Sequence, residues 1–223
     1  SSEWVGEKEV LSCTTFVNFD LVVKLPAQEQ FLDRKSDLLQ TLTFPVDLDL
    51  TKKFLQVEKA TIHDGRGDLD RILAKVGSKV DVNLAAVRQA SKVMQEPEKG
   101  CTVVLNGQRL IAIEQGDTTK ELFGVAFDVG TTTVVGSLCD LISGKVLATM
   151  SGTNPQRQHG GDVISRITFA NEDSNNIYKL QREIIECLNE IIAGLCQKAK
   201  VSYEHIYFTT MVGNTCMHHL FLG

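Results

Sequence analysis

The stretch that most constrains the fold is residues 123–141, which read FGVAFDVGTTTVVGSLCDL. Small or acidic residues alternate with bulky ones from residue 124 to residue 129, which is the period of a β-strand with one packed face. A second apolar run follows the threonines. We therefore predict two strands joined by a bend at Gly130, with Asp128 at the end of the first strand.

The residues of the predicted bend suit a phosphate group. Gly130 lets the backbone turn without a Cβ atom in the way, and Thr131, Thr132 and Thr133 offer hydroxyl and N–H donors close to the Asp128 carboxylate. Such donors can hold an anionic oxygen while the carboxylate holds Mg²⁺, through water because Mg²⁺ keeps much of its hydration shell. The same letters also fit a β-hairpin in which Asp and Gly only make the turn, and both interpretations stay open at this point.

The composition is that of an ordinary globular chain. Its 223 residues are 43% hydrophobic and 23% charged, with a net charge of −5, which allows one or two hydrophobic cores. No Lys/Arg cluster is found, so nucleic-acid binding is not expected, because it needs a basic patch. The most apolar long stretch, 184–196, carries Glu186, Asn189 and Glu190, so no membrane span is predicted. The six cysteines form no C-x-x-C pair, which favours a reduced, cytoplasmic setting.

Residues 46–118 are predicted to form an α+β unit. The patterns indicate one or two strands between residues 46 and 60, helices at 68–76 and 84–94, and a hairpin at 101–113. Asn106-Gly107 closes the hairpin, because both residues tolerate the positive φ angles of a tight turn. We find no catalytic constellation in this unit.

The residues that follow predict a mixed sheet. Strands are expected at 123–129, 132–140 and 145–151, then two helices, a strand at 205–212 and a last helix. A three-strand meander followed by a helical crossover into another strand gives a mixed sheet with helices packed on it. The second helix, 176–200, has the apolar spacing of a helix that covers such a sheet.

The first of these helices follows Gly160-Gly161 and has Asp162 at its start. Its apolar residues that fall on one face are Val163, Ile164, Ile167 and Ala170. An aspartate directly before a helix suits the N-cap position, where its carboxylate accepts a hydrogen bond from an otherwise unpaired N–H group.

A second group of polar residues follows the strand at 205–212. Gly213-Asn214 reads as the turn at its carboxyl end, and Thr215 as the cap of the last helix. Ligands of open α/β sheets collect outside the carboxyl ends of parallel strands. Gly213, Asn214 and Thr215 are therefore candidates for lining a ligand cleft.

The run Asp128-Val129-Gly130-Thr131-Thr132 resembles the first phosphate motif of the actin, sugar-kinase and heat-shock-chaperone ATPase superfamily. Three wider segments, GDTTKELFGVAFDVGTTTVV, NPQRQHGGDVISRI and MVGNTCMHHLFLG, are similar to the ATP-dependent reductive activators of corrinoid proteins. The resemblance begins at VLSCTTFVNFDLVVKLP and runs over nearly the whole chain. It implies ATP and Mg²⁺ as ligands, with Gly130 and the three threonines on the phosphates.

The resemblance also implies a domain order. Residues 1–26 correspond to the end of a 2Fe–2S ferredoxin-like domain, 27–45 to a linker, 46–118 to a middle domain and 119–223 to the first lobe of an ATPase domain. The implied fold class is α/β, a middle α+β domain followed by one lobe of an actin-like (ribonuclease-H-like) fold with a mixed sheet. Most of the ferredoxin domain and the second ATPase lobe are expected to be missing.

Two residues take a role from the resemblance alone. Cys13 stands in the place of the last of four cluster cysteines, so a 2Fe–2S cluster is expected in a longer parent protein and not in this chain. Asp162 lies in a segment that the resemblance places near the nucleotide cleft, which makes it a candidate second active-site carboxylate beside Asp128. The N-cap is the favoured interpretation of Asp162.

Three functional hypotheses follow. In the first, the parent protein delivers an electron from its cluster to a Co(II) corrinoid protein of methyl-transfer metabolism, producing Co(I), and ATP drives this uphill step. In the second, the chain belongs to a small-molecule kinase or chaperone-like ATPase of the same superfamily. In the third, the chain as given is an inactive fragment. A corrinoid protein is the expected partner, and a homodimer is left open.

Overall fold

The computed structural model describes residues 43–77 and 79–223. Every described residue belongs to one compact unit. Cys13, the strand predicted before Pro26 and most of the predicted linker lie outside the described residues. The domain boundaries stay predictions.

The first sheet is built from residues 50–115. Its elements are β1 (Leu50–Leu55), α1 (Asp68–Val76), β2 (Asp81–Val82), α2 (Leu84–Val93), β3 (Cys101–Asn106) and β4 (Arg109–Gln115). The strand order is β1-β3-β4-β2, with β2 parallel to β4 and the other two pairs antiparallel. The predicted hairpin and both predicted helices are confirmed. Helices and sheet share a core that includes Ile72, Ala86, Ala90, Val103 and Leu110.

The second sheet is built from residues 123–213. Its elements are β5 (Phe123–Val129), β6 (Thr133–Asp140), β7 (Val146–Thr153), α3 (Val163–Glu172), α4 (Ser174–Ala199), β8 (Ile206–Gly213) and α5 (Thr215–Leu222). The strand order is β7-β6-β5-β8, antiparallel except for the parallel pair β5 and β8. The predicted meander, helical crossover and mixed sheet are confirmed.

Helix α4 covers one face of the second sheet. This 26-residue helix packs on β6 and β7 and buries an apolar stripe made of Leu180, Ile184, Leu188, Ile191 and Leu195. Gly136 of β6 lets the helix come close, since a Cβ atom there would lie 2.6 Å from Ile191 Cγ2. The packed sheet holds the turn between β5 and β6 on a rigid base.

Two local predictions about the helices are corrected by the structure. Asn214, and not Thr215, caps α5, because the Asn214 side chain accepts a hydrogen bond from the N–H of Met217. On α3, Ile164 is 76% exposed and Arg166 is fully buried, whereas Ala170 packs against the core, so only part of the predicted apolar face is covered. Arg166 faces inward because its donors meet carbonyl oxygens there.

A buried polar cluster joins the two sheets at Glu114 of β4. The Glu114 carboxylate accepts hydrogen bonds from Lys52 Nζ at 2.6 Å, from the Thr118 and Tyr207 hydroxyls, and from His205 Nδ1 at 2.9 Å. The Lys52 and Glu114 side chains are 1% and 10% exposed. Tyr207 lies on β8, so this cluster ties the first sheet to the strand that leads into the candidate site.

Between residues 43 and 223, Ser78 aside, none of the helices is long and apolar enough to cross a membrane.

Candidate functional site

The predicted phosphate turn lies at the end of the hairpin formed by β5 and β6. Asp128 is exposed near the end of β5, where its carboxylate is free to reach a solvated metal ion. The Gly130 N–H donates to the carbonyl of Thr133 at 3.0 Å, which closes the bend. A Cβ atom on Gly130 would lie 2.7 Å from that same carbonyl oxygen, so the close approach requires glycine.

The three carbonyl groups of the turn are each held by a donor. The Asn154 side-chain amide donates to Gly130 O at 2.9 Å, and the Asn154 backbone N–H donates to Thr132 O at 2.9 Å. Between them, the guanidinium of Arg166 donates to Thr131 O. Asn154 and Arg166 are both fully buried, so the carbonyl oxygens are turned toward donors in the protein interior.

This arrangement decides where the N–H groups of the turn point. In a planar trans peptide the C=O of one residue and the N–H of the next point in opposite directions, and the described residues contain no cis peptide bond. Because the carbonyls of Gly130, Thr131 and Thr132 are held by buried donors, the N–H groups of the next residues face the other way. Successive N–H groups presented in this manner form a concavity that binds anions.

Asn154 reaches the turn because of its place between two elements. It follows β7 directly and caps the short 3-10 helix Pro155–His159, its Oδ1 accepting from the N–H of Gln156 at 3.0 Å. Proline at the first helical position has no N–H group to leave unpaired, and its φ angle already suits the helix. The cap fixes the Asn154 amide so that its NH₂ group faces Gly130.

Asp162 is the N-cap of α3. Its Oδ1 accepts from the N–H of Ser165 at 2.9 Å, and the Ser165 hydroxyl accepts from the Asp162 N–H at 3.3 Å, which is a reciprocal capping box. Hydrogen bonds that Ser165 donates to it, the one from the Ser165 N–H first, lower the pKa of the exposed Asp162 carboxyl. The structure therefore gives Asp162 a role in starting the helix, and its catalytic role stays a prediction.

The segment after β8 lies beside the turn. Gly213 is the register partner of Val129 in the parallel pair, so β5 and β8 end at the same edge of the sheet. The Asn214 side chain donates to the Thr131 hydroxyl at 3.2 Å while its oxygen caps α5. Gly213 and Asn214 thus lie beside the turn, and Thr215 is the exposed first residue of α5. That these three residues line a ligand cleft stays a prediction.

Sequence analysis missed Asn154, Gln156 and Arg166. All three are at most 1% exposed, and the Gln156 oxygen accepts from Arg166 Nη1 at 3.4 Å while its amide donates to Leu180 O at 2.9 Å. The dipeptide Asn154-Pro155 was a readable cap signal. No periodicity marks Arg166, because it interrupts the apolar pattern of its helix.

The turn combines N–H donors with one exposed carboxylate, that of Asp128. Among residues 43–77 and 79–223, no group of three or more His, Cys, Asp or Glu side chains could hold a metal ion. One exposed carboxylate beside a cluster of N–H donors matches the usual manner of binding Mg²⁺, through one or two carboxylates, water and the phosphates of the ligand. The described residues provide no ligand set for a 2Fe–2S cluster.

Two family models match consecutive regions of the chain. The model described as RACo linker region matches residues 40–120, and the model described as RACo middle region matches residues 123–223. Corrinoid activation enzyme RamQ of Eubacterium limosum is 45% identical over 121 residues, covering 54% of this chain and 20% of that protein.

The solved structure of a protein named "reductive activator for corrinoid, iron-sulfur protein" superposes on this chain with a TM-score of 0.64 and is 33% identical to it in sequence. It covers 80% of this chain and 30% of the solved chain, so the present chain spans less than a third of either relative. The match supports the α/β fold with an actin-like mixed sheet. Because the two family models match one after the other over residues 40–120 and 123–223, the chain belongs to the RACo family and holds its linker and middle regions.

Proposed function

We propose that this chain contributes the first phosphate-binding turn of an ATP-dependent reductive activator, which reduces a Co(II) corrinoid to Co(I) in a partner protein of methyl-transfer metabolism. The electron would come from a 2Fe–2S cluster in a ferredoxin domain of the full-length protein. ATP bound at the turn would couple its binding or hydrolysis to this uphill, one-electron reduction.

The observation that carries the nucleotide part of the proposal is the orientation of the turn. The N–H groups of Thr131, Thr132 and Thr133 face away from the buried donors that hold the carbonyls, next to the exposed carboxylate of Asp128. N–H and hydroxyl groups are donors suited to phosphate oxygens. A turn that served only to reverse the chain would not need two fully buried polar residues behind it.

Each residue of the site has a role in this proposal. Asp128 would hold Mg²⁺ through water, and the ion would screen the phosphate charge that the turn receives. The hydroxyl of Thr131 already accepts from Asn214, which leaves its hydrogen free to be donated to a phosphate oxygen. Gly213 keeps the strand edge beside the turn free of side chains.

The corrinoid part of the proposal is supported by family membership. RamQ is named a corrinoid activation enzyme and the solved relative a reductive activator for a corrinoid, iron-sulfur protein, which favours this hypothesis over a small-molecule kinase. The five described cysteines are all free thiols, which suits a reducing cytoplasmic compartment. A corrinoid protein is the proposed partner.

Binding of ATP·Mg²⁺ to the full-length protein tests the nucleotide assignment. We expect calorimetric titration to give a measurable affinity that Asp128→Ala removes, together with ATP turnover and ATP-dependent loss of the Co(II) corrinoid absorption band. Asp70→Ala is the matched control, because Asp70 is also exposed but lies on α1 of the other sheet. Equal affinity and turnover in wild type and Asp128→Ala would refute the assignment of the turn.

A further inference from the structure

Arg166 is the largest fully buried side chain of the described residues, and it lies directly behind the phosphate turn. Its guanidinium donates to Thr131 O, to Gly160 O at 2.9 Å and to Gln156 Oε1 at 3.4 Å, and Nη1 lies 3.3 Å from the Met217 sulfur. All of these partners are neutral. Within residues 43–77 and 79–223, no carboxylate lies within ion-pair distance of Arg166.

Burial of a guanidinium without a counterion lowers the stability of the fold, so we expect such an arrangement to serve a function. A buried charge is normally paired with an opposite charge. Arg166 is in addition the fourth residue of α3, near the positive end of the helix dipole, where a cation is disfavoured. Burial lowers the pKa of the Arg166 guanidinium, yet an arginine side chain stays protonated in proteins.

A charge held in this position acts on whatever binds to the other side of the turn. The guanidinium donates a hydrogen bond to the carbonyl oxygen of the peptide between Thr131 and Thr132. The N–H of that same peptide points in the opposite direction. An anion bound by this N–H group would therefore be one peptide unit away from an unpaired positive charge. In a water-poor interior this attraction is screened much less than between exposed charges.

We infer that Arg166 is a positioning residue of the nucleotide site: it fixes the Thr131–Thr132 peptide with its N–H group outward and supplies the positive charge that the nucleotide phosphates neutralise. This inference rests on the proposed function. It goes beyond it by naming a residue that no phosphate would touch and by predicting that the site discriminates according to phosphate charge.

Titration of the full-length protein with ATP and with AMP, each with Mg²⁺, tests the inference. In Arg166→Met, which removes the charge and the donors at similar volume, we expect ATP affinity to fall on the order of tenfold or more, as for residues that orient the groups contacting a ligand in other sites. AMP affinity should fall much less, since AMP brings less negative charge. Arg166→Lys keeps the positive charge but loses the planar guanidinium with its several donors. Its affinity for ATP should therefore lie between those of wild type and Arg166→Met.

Arg71→Met is the matched control. Arg71 is 3% exposed and ion-paired with Asp64 at 2.5 Å, in the core region of the other sheet, so its loss should lower the unfolding midpoint without changing the ratio of ATP to AMP affinity. If Arg166→Met does not fold, Arg166→Lys is judged by the same ratio.

Two results would overturn this inference and leave the proposed function standing. One is an unchanged ATP affinity in Arg166→Met. The other is an equal loss of ATP and AMP affinity in both Arg166 variants, which is what a purely structural role produces. Absence of nucleotide binding in the wild-type protein would instead remove the proposed function and this inference with it. A selective loss of ATP affinity, absent in Arg71→Met, supports both.

Discussion

The polar cluster that joins the two sheets is expected to be one of the most sensitive points of the fold. The perturbation is Glu114→Gln, which keeps the shape of the side chain and removes its charge. Glutamine has one acceptor oxygen and an NH₂ group, so it cannot accept from all four side chains that now donate to Glu114, namely Lys52, Thr118, His205 and Tyr207.

The magnitude follows from burial. The Lys52 side chain is 1% exposed, so removal of the Glu114 charge leaves an ammonium group buried without its counterion. Removal of one partner of a buried ion pair costs about 3–5 kcal/mol, and we expect Glu114→Gln to lower the free energy of unfolding by that amount. The double variant Lys52→Met/Glu114→Gln should be more stable than the sum of the single effects predicts, by roughly 1–3 kcal/mol.

The matched control is Glu96→Gln. The Glu96 carboxylate lies 2.6 Å from Lys99 Nζ, the same separation as between Glu114 and Lys52, but those side chains are 51% and 54% exposed. An exposed pair is worth about 0–1 kcal/mol, so Glu96→Gln should be nearly neutral. Urea denaturation followed by circular dichroism measures both, and equal costs for the two variants would refute the argument from burial.

The same comparison has a predictable pH dependence. Burial alone would raise the pKa of the Glu114 carboxyl, but hydrogen bonds from Lys52, Thr118, Tyr207 and His205 more than offset this, and the pKa lies below its ordinary value of 4.5. A carboxyl with a lowered folded-state pKa contributes stability above its unfolded-state pKa and loses it as the pH falls through the folded-state value. The stability difference between wild type and Glu114→Gln should therefore shrink below about pH 4.5, and a constant difference down to pH 3 would contradict this assignment.

Two further predictions concern the candidate site. Gly130→Ala should weaken ATP binding severely, because its Cβ atom would lie 2.7 Å from Thr133 O, whereas Gly161→Ala, with no atom within 4 Å of the new Cβ, should bind like wild type; calorimetric titration compares them. Asp162→Ser should keep the unfolding midpoint and the ATPase rate, since serine also caps helices, and Asp162→Ala should lower the midpoint; loss of ATPase activity in a stable Asp162→Ser protein would make Asp162 a catalytic carboxylate.

The fold could be predicted closely where each element has a local cause. Helix α1 has the predicted bounds, 68–76, and ends at Gly77 with a φ angle of 81°. The predicted hairpin forms, but its turn lies one residue later than predicted: Asn106 still pairs with Arg109 in the sheet, the turn residues are Gly107 and Gln108, and Gly107 supplies the positive φ that the turn needs. In the strands of the second sheet, apolar residues either alternate with polar or small ones or follow one another over the predicted lengths. In each case the residues that determine the element lie inside it or next to it.

The site could be predicted only in its local part, for the same reason. Asp128, Gly130 and the three threonines are consecutive or nearly so, and their chemistry is visible in the sequence. Asn154 acts on a carbonyl 24 residues away and Arg166 on one 35 residues away. Such contacts depend on how β7, α3 and the turn come together, which neither hydrophobic period nor residue spacing encodes.

The two interpretations of Asp162 are connected through Arg166. The Asp162 carboxylate fixes the first turn of α3 through Ser165, and Arg166 is the next residue of that turn. A cap that holds the helix start therefore also sets where the guanidinium meets Thr131 O. Under the N-cap interpretation, loss of the cap would disturb the turn without any contact between Asp162 and a nucleotide, whereas a serine that restores the cap would restore the turn. Conserving the geometry of the site thus requires a capping residue at position 162 and not a carboxylate as such, and this is the difference that the serine and alanine variants measure.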